Sequence, residues 1–307
     1  MILDRRHFIR TGAAAVAATI LPWELASGGQ TGSVVWEIRG TPRDAVKALF
    51  RALGGLKSLV TEDPASLSVL VKPNLCLPHP AEQATTSSSE MIEAVSAELT
   101  TAGVRKITVA DHTLQKAAAF EKAEFMKLPG KCPAVRILLA DERRLFQPIE
   151  VPGKVLKKTE ILKLVPHSGL FINLATAKHH AATDVSLATK NLMGLVWDRA
   201  EFHTRMGLAQ AIGDLALAAR PHLSIVDASR VLLTGGPTGP GRTLEDGRIF
   251  ASLDMLALDA VVTSRYSFAG RTISPKDVAH LRAAYEHGVG QLDLEKIRVE
   301  KLETGLR

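Results

Sequence analysis

The order of apolar and polar runs predicts an α/β protein: a mainly parallel sheet with helices on both faces, plus an inserted β-hairpin. Three observations carry that prediction. Strand-like and helix-like stretches alternate along the chain. The strand-like runs, such as those in "SLSVLVKPN" and "AVRILLAD", are continuously apolar, as strands covered on both faces are. Polar groups collect where these runs end: Lys72 and Asn74, Asp111 and His112, Lys178 to His180, and Asp227. In open α/β sheets, ligands bind at the carboxyl ends of the strands, so this convergence marks a candidate site.

The elements follow in order. "SVVWEIRG" (33–40) reads as a strand. "TPRDAVKALFRALGG" (41–55) reads as a helix, with Thr41 as cap, Pro42 at its first position and glycine at its end. "SLSVLVKPN" (66–74) is a strand, and "SSSEMIEAVSAELTTAG" (87–103) a helix between a serine cap and a glycine stop. "RKITVADH" (105–112) and "AVRILLAD" (134–141) are strands. A hairpin around Pro152-Gly153 then breaks the rhythm and leads into a short amphipathic segment. "INLATAKHHAATDVSLATKNLMG" (172–194) gives a strand and then a helix capped by Thr183 or Asp184. A long helix is expected over 200–220, a strand over 222–230, a glycine-rich loop in "TGGPTGPG", and a further strand and helix in "GRIFASLDMLALDAVV". Asp254 is placed to cap that last helix. A capped helix in "SPKDVAHLRAAYEHG" and a closing strand in "LEKIRVEKL" complete the chain.

The 307 residues are 46% hydrophobic and 23% charged, which suits one large α/β domain over 28–307 or two closely joined lobes. The formal charge of +6 comes from scattered basic residues, and aromatic content is only 5%, which argues against nucleic-acid binding. Two cysteines, Cys76 and Cys132, are too few for a four-thiolate iron–sulfur cluster, and no CxxC is present for a zinc ribbon. An oxidising compartment would allow them one disulfide.

Residues 1–27 resemble a twin-arginine export signal. Arg5 and Arg6 precede Phe8, Ile9 and Arg10, and a small-residue apolar run from Ala13 to Leu21 follows. That run is too short for a membrane span, which needs ~20 residues. The resemblance implies an extracytoplasmic, periplasmic protein that meets the twin-arginine export machinery already folded, a route often taken with a cofactor in place.

Several residues stand out chemically. Lys72 and Asn74 flank Pro73, and strand alternation turns both to one side, where a cation and an amide suit a carboxylate or phosphate. Asp111 is positioned to orient an imidazole or to cap the next helix, and His112 is a candidate acid–base group. Lys178, His179 and His180 are consecutive, so at most one histidine faces a given pocket. Lys190, between Leu187 and Met193, is either a lysine snorkelling to solvent or a buried amine of lowered pKa that serves as nucleophile or cofactor anchor. His203 is a candidate base or ligand. The His180, Lys190, His203 spacing does not match a zinc protease, and the glycine-rich loop lacks the Gly-Lys-Ser/Thr of a Walker phosphate loop.

The order "VKPNL", "TTSSSEMIEAV", "LKKTEIL", "INLATAKHHAATDVSLATKNLMG", "IVDA", "GGP" and "LDMLALDAV" resembles the domain-of-unknown-function 362 family over most of residues 33–300. More remotely, the layout is similar to the N-terminal part of the nickel-pincer lactate racemase family. That likeness implies a metal ion or a lysine-tethered nickel-pincer-like cofactor on Lys190, with His180 and His203 toward the metal and His112 or His179 as a catalytic histidine. Lys72, Asn74, Lys178, Lys190 and Asn191 would then contact the cofactor or the substrate. The serine and two glycines that precede the lysine in the racemases are replaced here by Leu187, Ala188 and Thr189.

The resulting expectation is an exported cofactor- or metal-binding enzyme, an oxidoreductase or isomerase, acting on a small anionic molecule by redox, proton or hydride transfer. The alternatives are a non-catalytic periplasmic binding protein for an anionic ligand and an assembly partner of a redox complex, with a redox protein as partner.

Overall fold

The computed structural model describes residues 32–114 and 117–305. The export-signal segment 1–27 lies outside the described residues. Eleven strands and ten α-helices are described, in the order β1 (Ser33–Arg39), α1 (Pro42–Leu53), β2 (Ser68–Lys72), α2 (Ser89–Thr101), β3 (Lys106–Asp111), α3 (Ala117–Lys122), α4 (Leu128–Lys131), β4 (Val135–Leu139), β5 (Phe146–Glu150), β6 (Lys158–Leu162), α5 (Leu164–His167), β7 (Leu170–His180), β8 (Asp184–Ser186), α6 (Ala188–Asn191), α7 (Ala200–Thr204), α8 (Leu208–Ala218), β9 (Leu223–Leu232), β10 (Thr243–Ser252), α9 (Met255–Arg265), α10 (Ala279–Glu286) and β11 (Ile297–Leu302).

The sheet runs β11-β1-β10-β9-β7-β2-β3-β4. Its pairs are parallel except at β10, which lies antiparallel to both β1 and β9, and at β8, which folds back on β7. The β5–β6 hairpin is separate from the sheet, as the break in rhythm predicts.

Alternate residues of each strand feed two different cores, which is why the strand runs are apolar throughout. Val69 and Val71, Ile172 and Leu174, Ile225, and Ile249 and Ala251 pack with α1, α2 and α3 on one face. Leu70, Phe171, Val226 and Phe250 pack with α8, α9 and α10 on the other. Each fully buried Val, Leu or Phe contributes about 1.5–3 kcal/mol of transfer free energy.

The local signals act as read for α1, α2 and α9. Thr41 Oγ1 accepts the Asp44 N–H, Ser88 Oγ that of Met91, and Asp254 those of Leu256 and Ala257. Three expectations are corrected. Thr183 and Asp184 do not cap a helix: Asp184 takes φ 60, Thr183 Oγ1 donates to Val185 O, and the chain reverses to pair β8 against β7. The helix then starts only at Ala188 and lasts four residues. The stretch 200–220 is two helices, because Gly207 at φ 74 breaks the run. Ser274 gives no side-chain cap, and a 3-10 turn over Pro275–Asp277 precedes α10. Among the described residues, no helix is long and apolar enough to cross a membrane.

Candidate functional site

β2 and β3 lie side by side with β7 next to β2, all three parallel, so their carboxyl ends share one edge of the sheet. β7 runs eleven residues, well past its pairing with β2, and so carries Lys178 to His180 beyond the end of β2, where they pair with β8. The β8 turn brings the chain back, and α6 places Lys190 and Asn191 over the ends of β2 and β3.

The centre of the arrangement is the side-chain amide of Asn191. Its Oδ1 accepts Lys72 Nζ at 3.3 Å and Asn74 Nδ2 at 3.0 Å, so Lys72 and Asn74 do turn to one side. Its Nδ2 donates to Asn173 Oδ1 at 2.8 Å. Lys72 also bonds Asp111 Oδ1 at 2.9 Å, while Asp111 Oδ2 accepts the Leu75 N–H at 2.8 Å. Asp111 is therefore committed to an ion pair and to the loop after β2, and it orients no imidazole. Asn74 Oδ1 accepts Lys178 Nζ at 2.7 Å, and Lys178 donates again to Thr85 O at 2.6 Å. A continuous relay thus joins Lys178, Asn74, Asn191, Lys72 and Asp111, all of them buried.

α6 is held by Asp259 of α9. Its two carboxylate oxygens accept the backbone N–H groups of Ala188 (2.9 Å) and Thr189 (2.8 Å). Burial pushes the Asp259 carboxyl up to about 7, against the pull of those bonds.

Two lysines of the cluster have no carboxylate partner among the described residues. Lys178 meets only neutral acceptors, and Lys190 Nζ makes a 3.7 Å contact with Met193 Sδ. Burial draws both down to about 8. Lys190 itself is half-buried, and the partial loss of water around its amine is the cause of that shift. Cys76 and Arg199 lie within electrostatic reach of Lys190.

His180 faces this cationic group. Its Nδ1 accepts the Ala182 N–H at 3.1 Å, and burial, then Lys190 and Lys178, hold it down at about 3. The imidazole is neutral, with its proton on Nε2. His179 points elsewhere, as alternation requires: its Nδ1 accepts the Gly236 N–H at 3.1 Å, and its charged neighbours are Asp184 and Arg271. A Cβ on Gly236 would fall 1.7 Å from His179 O, so only glycine lets the loop seat there. His112 Nδ1 donates to Val196 O at 2.9 Å, and its ring stacks on Trp197 at 5.1 Å. Burial lowers its pKa. His203 is exposed on α7, and Lys190 helps to lower its pKa after burial.

The structure thus brings together Lys72, Asn74, Lys178, His180, Lys190 and Asn191. It sets His179 apart and leaves His203 at the rim. Among the described residues, no group of three or more His, Cys, Asp or Glu is placed to hold a metal ion. Cys76 and Cys132 are both free. Sequence reasoning missed Asn173, Asp259 and the Thr85–Ser87 segment as parts of the site. Ser87 Oγ accepts the Asn74 N–H, a long-range contact with no local pattern to reveal it.

The fold and site together define an α/β protein with a buried, lysine-rich polar cluster at the carboxyl edge of a mainly parallel sheet. The chain belongs to the family described as Domain of unknown function (DUF362), whose family model matches residues 69–264. That span takes in β2 through most of α9, and so every residue of the relay. No curated protein matches the chain.

Proposed function

We propose that this cluster binds a small anionic molecule and moves a proton on it, in a protein exported by the twin-arginine route. The supporting observation is the pair Lys178, buried, and Lys190, half-buried, neither of which forms an ion pair with a carboxylate among the described residues. Buried charges are ordinarily paired, and a lone one is costly. An anion between the two lysines supplies the missing partner, and Asn74 and Asn191 fix the geometry beneath it.

The proton chemistry rests on Lys190 and His180. An amine with a pKa near 8 exchanges its proton close to neutral pH, as an efficient general acid or base requires. The adjacent His180 imidazole is neutral and presents Nε2–H as a donor. His112, fixed as the Nδ1–H tautomer by Val196, is the second candidate base. Lys190, with His180 and His203 in its electrostatic reach, is also the group that would hold a lysine-tethered cofactor, which would supply hydride or proton transfer.

Calorimetric titration with oxalate and with inorganic phosphate tests the reading. Wild type is expected to bind one of them, and Lys190→Ala to lose at least tenfold in affinity. Equal affinity in the two proteins would sink the proposal.

A further inference from the structure

His112 stands in a clamp built by the β5–β6 hairpin and the turn that follows α6. Its Nδ1 donates to Val196 O at 2.9 Å, its ring stacks on Trp197 at 5.1 Å with the planes 4° apart, and Phe146 meets it edge-on at 5.4 Å. Phe146 and Trp197 in turn lie 5.3 Å apart. The hairpin supports both sides of this clamp. Phe146 opens β5, Ile161 of β6 bridges to Val196, and the Trp197 N–H donates to Glu160 O at 3.0 Å. At its far turn the hairpin is tied to α8 by Asp214 Oδ2, which accepts the Val155 and Leu156 N–H groups at 2.7 and 2.8 Å. The clamp adjoins the relay: the His112 N–H donates to Gly194 O at 3.0 Å, and Gly194 packs on Lys72 and Asp111.

We propose that Trp197 is a positioning residue, braced by the hairpin, that holds His112 in the one tautomer whose Nε2 is free to accept a proton. The use of that nitrogen in catalysis rests on the proton-transfer reading given above. With Nδ1–H committed to Val196 O, a neutral ring has its lone pair on Nε2, which has no hydrogen-bond partner among the described residues. One hydrogen bond does not fix the ring, because the terminal torsion of histidine is broad and two-fold. A half-turn about it carries Nδ1 away from Val196. The indole face on one side and the phenyl ring meeting the imidazole edge-on resist that half-turn, through aromatic contacts of favourable geometry. The charged groups around the ring are Arg199, Asp111 and Asp141. Burial, the largest influence, and Arg199 favour the neutral ring, while Val196 O and the two carboxylates oppose them; the net effect is a lowered pKa. The clamp also gives a role to a hairpin that stands apart from the sheet.

The test is nitrogen-15 spectroscopy of the histidine rings in the full chain near neutral pH, for wild type, Trp197→Leu and Trp197→Phe. Titration of wild type and Lys190→Ala with oxalate and with inorganic phosphate runs alongside. In wild type, His112 is expected to give one protonated and one bare nitrogen signal, well separated, with the proton on Nδ1. Leucine fills space without a ring face, so in Trp197→Leu the two signals are expected to converge as tautomers exchange, and Trp197→Phe to restore their separation. Unchanged His112 signals in Trp197→Leu, or a wild-type proton on Nε2, overturns the proposal. Should Trp197→Leu fail to fold, Phe146→Leu removes the second ring of the clamp and is read in the same way. Converging signals in Trp197→Leu, with no anion bound by wild type or with equal affinity in Lys190→Ala, uphold the clamp and overturn the anion site alone.

Discussion

Lys72 Nζ lies 2.9 Å from Asp111 Oδ1, and both side chains are almost wholly withdrawn from solvent. Burial lowers the lysine's pKa, and the carboxylate opposes that shift. The pair joins the ends of β2 and β3 and holds up the Asn191 amide from below. Removing one member leaves the other as an unpaired buried charge. Asp111→Asn is therefore expected to cost about 3–5 kcal/mol of unfolding free energy, read from urea denaturation. Gly194 packs directly on this pair, and a Cβ there would fall 2.0 Å from Asp111 Oδ1. Gly194→Ala should show a loss of the same kind. Stability within about 1 kcal/mol of wild type in both variants would mean that the pair is dispensable.

Asp259 makes stability depend on pH through the helix it caps. Its folded pKa, about 7, stands above the ordinary value of 3.8. Between those values the folded chain binds a proton that the unfolded chain has already lost, so this group's contribution falls as pH rises through the window. The full difference is up to roughly 4 kcal/mol, since each tenfold change in proton affinity is worth about 1.4 kcal/mol. Asp259→Asn cannot titrate, and its stability curve between pH 4 and pH 7 is expected to fall less steeply than that of wild type. Parallel curves in chemical denaturation would remove Asp259 as the source.

Export is testable in cells. Lysine in place of both Arg5 and Arg6 is expected to retain the protein in the cytoplasm, as is loss of the twin-arginine translocase in an otherwise normal strain. Fractionation followed by immunoblotting reads the outcome, and undiminished export in both cases would refute the assignment.

The layered α/β fold was legible because each of its signals is local. Thr41 and Ser88 cap the helices that follow them within three residues, and the apolar runs of β2, β3 and β7 report burial on both faces. The position of Lys72, Asn74 and Lys178 at strand ends was legible for the same reason. What lay beyond reach depends on residues far apart in the chain. Asp259 caps α6 from about 70 residues away, so "LDMLALDAV" gives no hint that its second aspartate starts another helix. The reversal at Asp184 was hidden because a single left-handed residue turns the chain where the pattern favours a cap.

The chemistry of Lys190 can be separated from its charge. If the ammonium groups of Lys178 and Lys190, both near 8, hold the anion, affinity falls as pH rises above ~8, because the cation is lost. One required ammonium gives roughly a tenfold loss per pH unit above its pKa. Arginine stays protonated throughout this range, so Lys190→Arg should bind the anion with a flatter profile between pH 8 and pH 9.5. The remaining slope belongs to Lys178. The same substitution removes the amine that exchanges a proton near neutral pH, so any turnover that depends on Lys190 as acid or base is expected to be lost while binding survives. Calorimetry across the pH series reads the first effect, and exchange of substrate hydrogen with deuterated solvent, once a bound substrate is in hand, reads the second. A wild-type affinity that does not change from pH 7 to pH 9.5 would show that neither lysine carries the anion, and the cluster would then be a structural relay holding β2, β3, β7 and α6 together.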